Sequence, residues 1–277
     1  MMKKILLTAL LTLSVLVTVG PSLARAESIA TQIERRIFYQ FGTKYRNPTN
    51  ADKRLSEVRY KGLILWVAKP KNGKPTVMYL PGSAGNLYSR SHKFRWFMDQ
   101  GYGVVAMAYP GMAGSKGKPS RQKIQILANS LYRDIPKMTG SKRIILMGES
   151  LGTGVALALA ASKAGRANPP TAIILQAPYT SLIDLTAAKN PVLLPFVAGR
   201  NDLWPSKRFI KNVKPPTFIM HGQKDRTVPF HMGKRLHQLS PAKNKVLAAR
   251  PQAGHTSIWR PNVLKPLRKW LEKIHRK

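Results

Sequence analysis

Residues 144–160 read IILMGESLGTGVALALA, and this stretch decides the fold. An apolar run typical of a buried strand passes directly into Gly-x-Ser-x-Gly and then into helix-forming residues. This order predicts a nucleophile elbow, a tight strand-to-helix turn that presents the side chain of Ser150 to solvent. The turn needs small residues on both sides of the serine, because larger side chains would clash with the neighbouring backbone.

Around this turn, short apolar runs alternate with helical stretches along the chain. The strand-like runs lie at 76–80, 103–109, 143–147, 172–176, 217–220 and 245–249. Such an alternation predicts an α/β fold with a mostly parallel central sheet and helices on both faces. Two earlier runs, separated by Lys61-Gly62, predict an opening hairpin.

A nucleophilic serine needs partner residues, and the candidates follow the later predicted strands. A serine hydroxyl is a weak nucleophile that needs an imidazole base, and the base needs a carboxylate to orient it. Asp225 follows the run 217–220, and His255 follows the run 245–249. Both are therefore expected at the carboxyl edge of the sheet, and the chain order Ser150, Asp225, His255 fits this type of sheet.

Other acids and histidines compete for these roles. Asp184 is the alternative orienting acid, although its surroundings favour a helix start, and Asp202 is interpreted as a turn residue. His221 is expected to order the turn after its strand. The remaining histidines are expected on helices: His92, His231, His237 and His275. No two histidines have a zinc-binding spacing with a glutamate, so the sequence predicts neither a metal site nor a cofactor.

A tetrahedral intermediate also needs hydrogen-bond donors for its oxyanion. Residues 80–86 read LPGSAGN, and their two glycines allow backbone N–H groups to turn toward the site. We assign the donors as the N–H groups of Ser83 and Leu151. The alternative is that residues 80–86 form a simple tight turn with no role in catalysis. A phosphate-binding loop is disfavoured because no Gly-Lys-Ser or Gly-Lys-Thr follows.

The N-terminal residues have the pattern of a targeting segment. Lys3 and Lys4 precede an apolar run at 5–19, and Ala24-Arg25-Ala26 has the form of a cleavage site. Residues 1–26 are therefore predicted to be a cleaved signal peptide, which implies a periplasmic or secreted protein. The alternative is a membrane anchor, but this run is shorter than the roughly 20 residues needed to span a bilayer. We expect an amphipathic helix and linker at 27–52 and the main domain at 53–277.

The charge of the chain is strongly unbalanced, with 47 Lys and Arg against 11 Asp and Glu, a formal net charge of +36. These cations recur along the chain and form no stripe, so specific nucleic-acid binding is disfavoured. A diffuse positive surface favours peripheral contact with an anionic membrane or envelope polymer. The scarcity of acids also suits an acidic exterior, since few carboxylates are left to protonate. Cysteine is absent, which excludes disulfides and thiolate metal sites.

With these motifs in order, the chain resembles the α/β-hydrolase superfamily, in particular its compact serine hydrolases, which include lipid and acyl-protein esterases. The likeness covers most of the chain from residue 55 onward. The sequence departs from the usual pattern of the superfamily at Pro81-Gly82 and at 108–111. The resemblance implies an α/β-hydrolase fold with no large lid, because the segment 179–216 is short. Apolar residues within this segment are expected to line an acyl pocket or to join the core.

The sequence therefore predicts an exported serine hydrolase that cleaves carboxylic esters or thioesters through an acyl-enzyme. The expected substrate is a small-molecule or lipid acyl ester. A serine peptidase uses the same machinery and is one alternative. A basic binding protein on a hydrolase scaffold, held at anionic envelope surfaces, is the alternative from a different class.

Overall fold

The structure, a computed structural model, describes residues 29–197 and 203–275 of the chain. The predicted signal peptide and Asp202, interpreted from the sequence as a turn residue, lie outside the described residues. The strands are β1 (Ser56–Tyr60), β2 (Leu63–Ala68), β3 (Thr76–Leu80), β4 (Gly103–Met107), β5 (Ile144–Glu149), β6 (Ala172–Gln176), β7 (Thr217–Gly222) and β8 (Lys245–Arg250).

Helices connect these strands. They are α1 (Ile29–Phe38), α2 (Ser91–Met98), α3 (Arg121–Thr139), α4 (Leu151–Ala161), α5 (Lys163–Ala167), α6 (Leu182–Lys189), α7 (Ser206–Phe209), α8 (Phe230–Leu239) and α9 (Pro261–His275). Short 3-10 helices lie at Pro48–Asn50, Tyr88–Arg90, Pro191–Phe196 and Ile210–Asn212. Within the described ranges, no helix has both the length and the apolar character that crossing a bilayer requires.

One eight-stranded sheet organises the domain, in the order β1-β2-β4-β3-β5-β6-β7-β8. The pairs from β4 to β8 are parallel, whereas β1 and β2 are antiparallel to their neighbours. Crossovers between parallel strands are right-handed, so α2, which leads from β3 to β4, lies on the opposite face from α3, α4 and α8. The predicted mostly parallel sheet with helices on both faces is confirmed.

The opening hairpin turns at Lys61 and Gly62, which have φ values of 48° and 81°. Two successive residues with positive φ are typical of a type I′ turn, whose twist matches that of the flanking strands. The turn therefore fixes the antiparallel pairing of β1 and β2.

The position of the site follows from the strand order. The connection from β3 runs toward β4, whereas the connection from β5 runs the opposite way, toward β6. In parallel sheets such a reversal leaves a crevice at the carboxyl ends of the two strands, where ligands bind. The loop at 81–86 and Ser150 both leave the sheet at this crevice.

The N-terminal helix α1 is attached to the domain by a buried hydrogen-bond network. Glu34 accepts from the Tyr39 hydroxyl at 2.5 Å and from the backbone N–H of Arg121, at the start of α3, at 3.0 Å. The Tyr39 hydroxyl in turn accepts from Trp204 Nε1 at 3.2 Å. Burial and the neighbouring Glu34 raise the pKa of Tyr39 well above its ordinary value. These bonds fix α1 against the sheet domain.

We predict that Tyr39→Phe lowers the free energy of unfolding by about 1–3 kcal/mol in urea titrations, because Glu34 and Trp204 each lose a buried partner. Tyr45→Phe is the matched control. Its hydroxyl donates to Glu57 at 2.6 Å at an exposed site, so the change should stay within about 0.5 kcal/mol. Equal losses in the two variants would contradict the role given to the buried network.

Candidate active site

Ser150 lies between β5 and α4 in a strained backbone conformation, with φ 48° and ψ −115°. Such a conformation is costly for a residue other than glycine and persists only where surrounding contacts fix it. The N–H of Ser150 donates to the carbonyl of Gln176 at 2.9 Å, and the carbonyl of Ser150 accepts from the N–H of Thr153 at 2.9 Å. The adjacent strand β6, through Gln176, and the helix α4, through Thr153, therefore hold the serine in place.

The glycines on either side of Ser150 are required by close backbone contacts. A Cβ at Gly148 would lie 2.4 Å from the carbonyl oxygen of Gly152, and a Cβ at Gly152 would lie 1.9 Å from that of Leu80. No side chain fits at such distances. The local geometry is that of a nucleophile elbow.

Asp225 and His255 are joined by a direct hydrogen bond. Asp225 follows β7, His255 follows β8, and His255 Nδ1 lies 2.7 Å from Asp225 Oδ2. Because an ionised carboxylate only accepts, Nδ1 carries the proton and Nε2 is left to act as a base. The other carboxylate oxygen, Oδ1, accepts from the N–H groups of Thr227 and Val228 at 2.8 Å each.

A second histidine, His221, supports the same carboxylate. Its buried Nε2 lies 2.9 Å from the carbonyl oxygen of Val228 and 3.4 Å from Asp225 Oδ2. A carbonyl only accepts, so Nε2 carries the proton. Burial alone would raise the pKa of Asp225, but hydrogen bonds from His221 and His255 outweigh burial and hold this pKa well below its usual range. An ionised Asp225 can stabilise an imidazolium at His255.

Ser150 is not hydrogen-bonded to the His255 ring within the described part of the chain. Hydrogen bonds of this kind are often long without substrate and shorten only in the reacting complex. The structure thus joins Asp225 to His255 and places Ser150 at the same carboxyl edge of the sheet.

A cavity of about 200 Å³ opens beside Ser150. Its lining is mainly apolar and includes side chains of α1 and α6, namely Ile37, Phe38, Leu182 and Leu185, together with Tyr179 and Leu193. A concave site with apolar walls and a few polar groups is typical of a small-molecule or acyl-binding pocket. The N-terminal helix therefore forms part of the cavity wall.

Ser83 and Leu151, the two predicted oxyanion donors, also line this cavity. Neither backbone N–H donates to another group among the described residues. Leu151 begins α4, and the first N–H groups of a helix have no acceptor inside the helix. Both donors are therefore available to a substrate oxygen that enters the cavity.

A buried ion cluster that sequence reasoning missed lies beneath Ser150. Glu149 accepts hydrogen bonds from the Tyr79 hydroxyl, from Lys93 Nζ and from Arg90 Nε, the last at 3.2 Å. Lys93 also donates to Gln176 Oε1 at 2.9 Å. Burial opposes ionisation of Glu149, but the charges of Lys93 and Arg90 outweigh burial and hold its pKa well below the usual range.

Arg90 extends this cluster to the loop that carries Ser83. Its Nη2 donates to the carbonyl of Ala84 at 2.6 Å, and its Nη1 donates to the carbonyl of Asn86 at 2.9 Å. The guanidinium therefore holds the loop after β3 while it pairs with the residue before Ser150. The sequence held one signal of this cluster. Glu149 lies inside the Gly-x-Ser-x-Gly motif, and a carboxylate buried there needs cations as partners.

The alternative acid Asp184 has a different role in the structure. Its backbone N–H donates to the hydroxyl of Ser181, the N-cap of α6, and its carboxylate pairs with Lys207 Nζ at 2.9 Å near the surface. It is not hydrogen-bonded to His255. Among the described residues, no cluster of three or more potential metal ligands occurs.

Comparisons with known proteins agree with this geometry. A family model described as the alpha/beta hydrolase fold matches residues 75–204. The lysophosphatidylserine lipase ABHD12 of Danio rerio is 31% identical over 198 residues, covering 66% of this chain and 51% of the relative. The human protein ABHD12B is 30% identical over 201 residues, covering 66% and 55%. The chain thus spans about half the length of these relatives.

Solved structures share the fold at lower sequence identity. An esterase from Pyrococcus furiosus has a TM-score of 0.64 and 18% identity, covering 87% of this chain and 97% of its own. The protein Est1E of Butyrivibrio proteoclasticus, solved with ferulic acid bound, has a TM-score of 0.66 and 18% identity, covering 80% and 99%.

We predict that Lys93→Met lowers the free energy of unfolding by about 3–5 kcal/mol, because it removes one of two cations from a buried carboxylate. Urea titration measures the change. Lys207→Met is the matched control: its pair with Asp184 is partly exposed, so its removal should cost less than about 1 kcal/mol. A small loss in Lys93→Met would show that Glu149 does not depend on this lysine.

The contribution of Glu149 to the stability of the fold should depend on pH. The pKa of Glu149 is lower in the folded chain than its ordinary value of about 4.3, so its contribution to stability is present above that pH and is lost below it. We expect the difference in unfolding free energy between wild type and Glu149→Gln to be largest near neutral pH and to shrink below about pH 4. Denaturant titrations across this range measure it. A difference that stays constant as the pH falls would mean that the carboxylate charge is not the cause.

Proposed function

This chain belongs to the α/β-hydrolase superfamily, and we propose that it acts as an exported serine hydrolase that cleaves carboxylic esters or thioesters. One observation carries the proposal. Ser150, at a strained elbow, lines the same cavity as two backbone N–H groups that have no acceptor within the described residues, and a hydrogen-bonded Asp225–His255 pair lies at the same sheet edge. These are the parts that acyl transfer to serine requires.

In the proposed reaction, His255 Nε2 takes the proton of the Ser150 hydroxyl while the oxygen attacks the acyl carbonyl carbon. The N–H groups of Ser83 and Leu151 donate to the resulting oxyanion. The imidazolium, stabilised by Asp225, then protonates the leaving alcohol or thiol as its bond to the acyl carbon breaks. Water, deprotonated by His255, then attacks the acyl carbonyl carbon. The bond to Ser150 Oγ breaks, the carboxylic acid leaves and the Ser150 hydroxyl is restored.

The cavity supports an acyl ester as the substrate class. Its apolar lining suits an acyl chain more than a charged group. The ABHD12 relatives are described as lysophosphatidylserine lipases, and a monoglyceride lipase variant from Saccharomyces cerevisiae shares the fold with a TM-score of 0.61. A lipid acyl ester is therefore the substrate that we propose first.

The location of the enzyme is part of the proposal. The pattern of residues 1–26 supports export, with the mature chain beginning at Glu27. The net charge of +36 favours a second role, retention at anionic surfaces.

We predict that a fluorophosphonate labels the wild-type protein once and does not label Ser150→Ala, as read by intact mass. Asp225→Asn and His255→Ala should react and turn over esters at least about 10³-fold more slowly, because each removes a member of one catalytic unit. Asp184→Asn and His237→Ala are matched controls and should behave like wild type.

Either of two results would reject the assignment: labelling that persists in Ser150→Ala, or a folded wild-type protein that neither reacts nor turns over esters. The same mass spectra test export, since the protein recovered from outside the cytoplasm should begin at Glu27.

A further inference from the structure

An exposed apolar segment lies at the edge of the cavity. We call the 3-10 helix Pro191–Phe196 the rim segment. Val192 is 82% exposed and Phe196 is 57% exposed. Single exposed apolar side chains are ordinary on protein surfaces, but two of the four most exposed large apolar side chains among the described residues occur in these six positions. The segment therefore presents a local apolar tip to solvent.

The rim segment is continuous with the site that contains Ser150. Leu193, within the segment, and Asn190, directly before it, line the same cavity as Ser150. The apolar tip therefore adjoins the lining of the cavity that contains Ser150.

A cation adjoins this apolar tip. Lys189 precedes the segment, is exposed and lines the cavity. The nearby acid, Asp184, is paired with Lys207, and the chain as a whole carries a formal charge of +36. Exposed apolar side chains beside a lysine, on a strongly basic chain, suit an anionic lipid surface, which buries the apolar groups and attracts the positive charge.

We propose that the rim segment docks the protein on anionic lipid membranes, with Val192 and Phe196 entering the headgroup region and Leu193 guiding an acyl chain to Ser150. This inference rests on the proposed hydrolase function and adds where its lipid substrate is captured. A protein partner seated on the same segment would cover the mouth of the cavity. A lipid surface would instead supply substrate through it.

The test is vesicle binding by Val192→Ser/Phe196→Ser, compared with Ile126→Ser/Tyr45→Ser. The control removes apolar side chains that are 56% and 45% exposed and lie outside the cavity lining. Vesicles of phosphatidylcholine alone and of equimolar phosphatidylcholine and phosphatidylglycerol are sedimented with each protein. If the double variant misfolds, Val192→Ser alone gives a smaller change in the same direction.

We expect wild type and the control to bind the anionic vesicles, more weakly as salt rises, and the rim variant to bind at least about 10-fold more weakly. Hydrolysis of a long-chain ester embedded in vesicles should fall in parallel in the rim variant. Turnover of a soluble short-chain ester should be equal in all three proteins, because the rim residues take no part in the reaction at Ser150.

Equal vesicle binding by the rim variant and the control would overturn the docking proposal. Equal binding of wild type to neutral and anionic vesicles would overturn its preference for anionic lipid. Self-association that the rim variant loses, with vesicle binding unchanged, would assign the segment to a second copy of the chain and would also overturn it. Failure of the hydrolase function is distinguishable, since it would abolish soluble-ester turnover in wild type whatever the vesicles show.

Discussion

Glu149 carries a negative charge into the interior at the residue directly before Ser150, and two cations and a phenol hold it there. The contacts come from separate elements: Tyr79 lies in β3, and Lys93 lies in α2. Arg90 pairs with this carboxylate and also binds the carbonyls of the loop that carries Ser83. One buried charge therefore fixes the turn at Ser150 and the loop of Ser83, the proposed oxyanion donor, relative to each other. Preorganised donors of this kind need no rearrangement when charge develops on the substrate.

The few acids of this chain include several that lie in its interior. Among the acids in the described part of the chain, Glu34, Glu149 and Asp225 are buried, and each accepts more than one hydrogen bond. They attach α1, support the elbow and orient His255, respectively. Each buried acid of the described residues thus serves the fold or the site, whereas among the cations there only Arg90 and Lys93 are buried. The positive surface and the carboxylate-dependent interior are consequences of the same composition.

Much of the fold could be predicted because local patterns encode it. The apolar run before Gly148 and the helix formers after Gly152 predicted both the strand β5 and the turn at Ser150. Contacts between distant segments left no such pattern: Arg90 and Lys93 meet Glu149 only because the strand order places β3 beside β5. The role of Asp184 also needed the structure, which pairs it with Lys207 at the surface. Sequence alone could not separate the buried Leu203 and Trp204 from the exposed Val192 and Phe196, since periodicity is weak in short turns.

The position of helix α1 affects how the substrate-binding cavity of this protein can change in evolution. Ile37 and Phe38 form part of the cavity wall, yet they precede the sheet and belong to none of the strands that carry Ser150, Asp225 and His255. Their attachment depends on Glu34, which binds Tyr39 and Arg121 and does not line the cavity. Mutations at the wall can therefore reshape the space offered to an acyl chain while the reacting groups keep their geometry. Selection for a new substrate can act on one short helix, and the catalytic strands can stay unchanged.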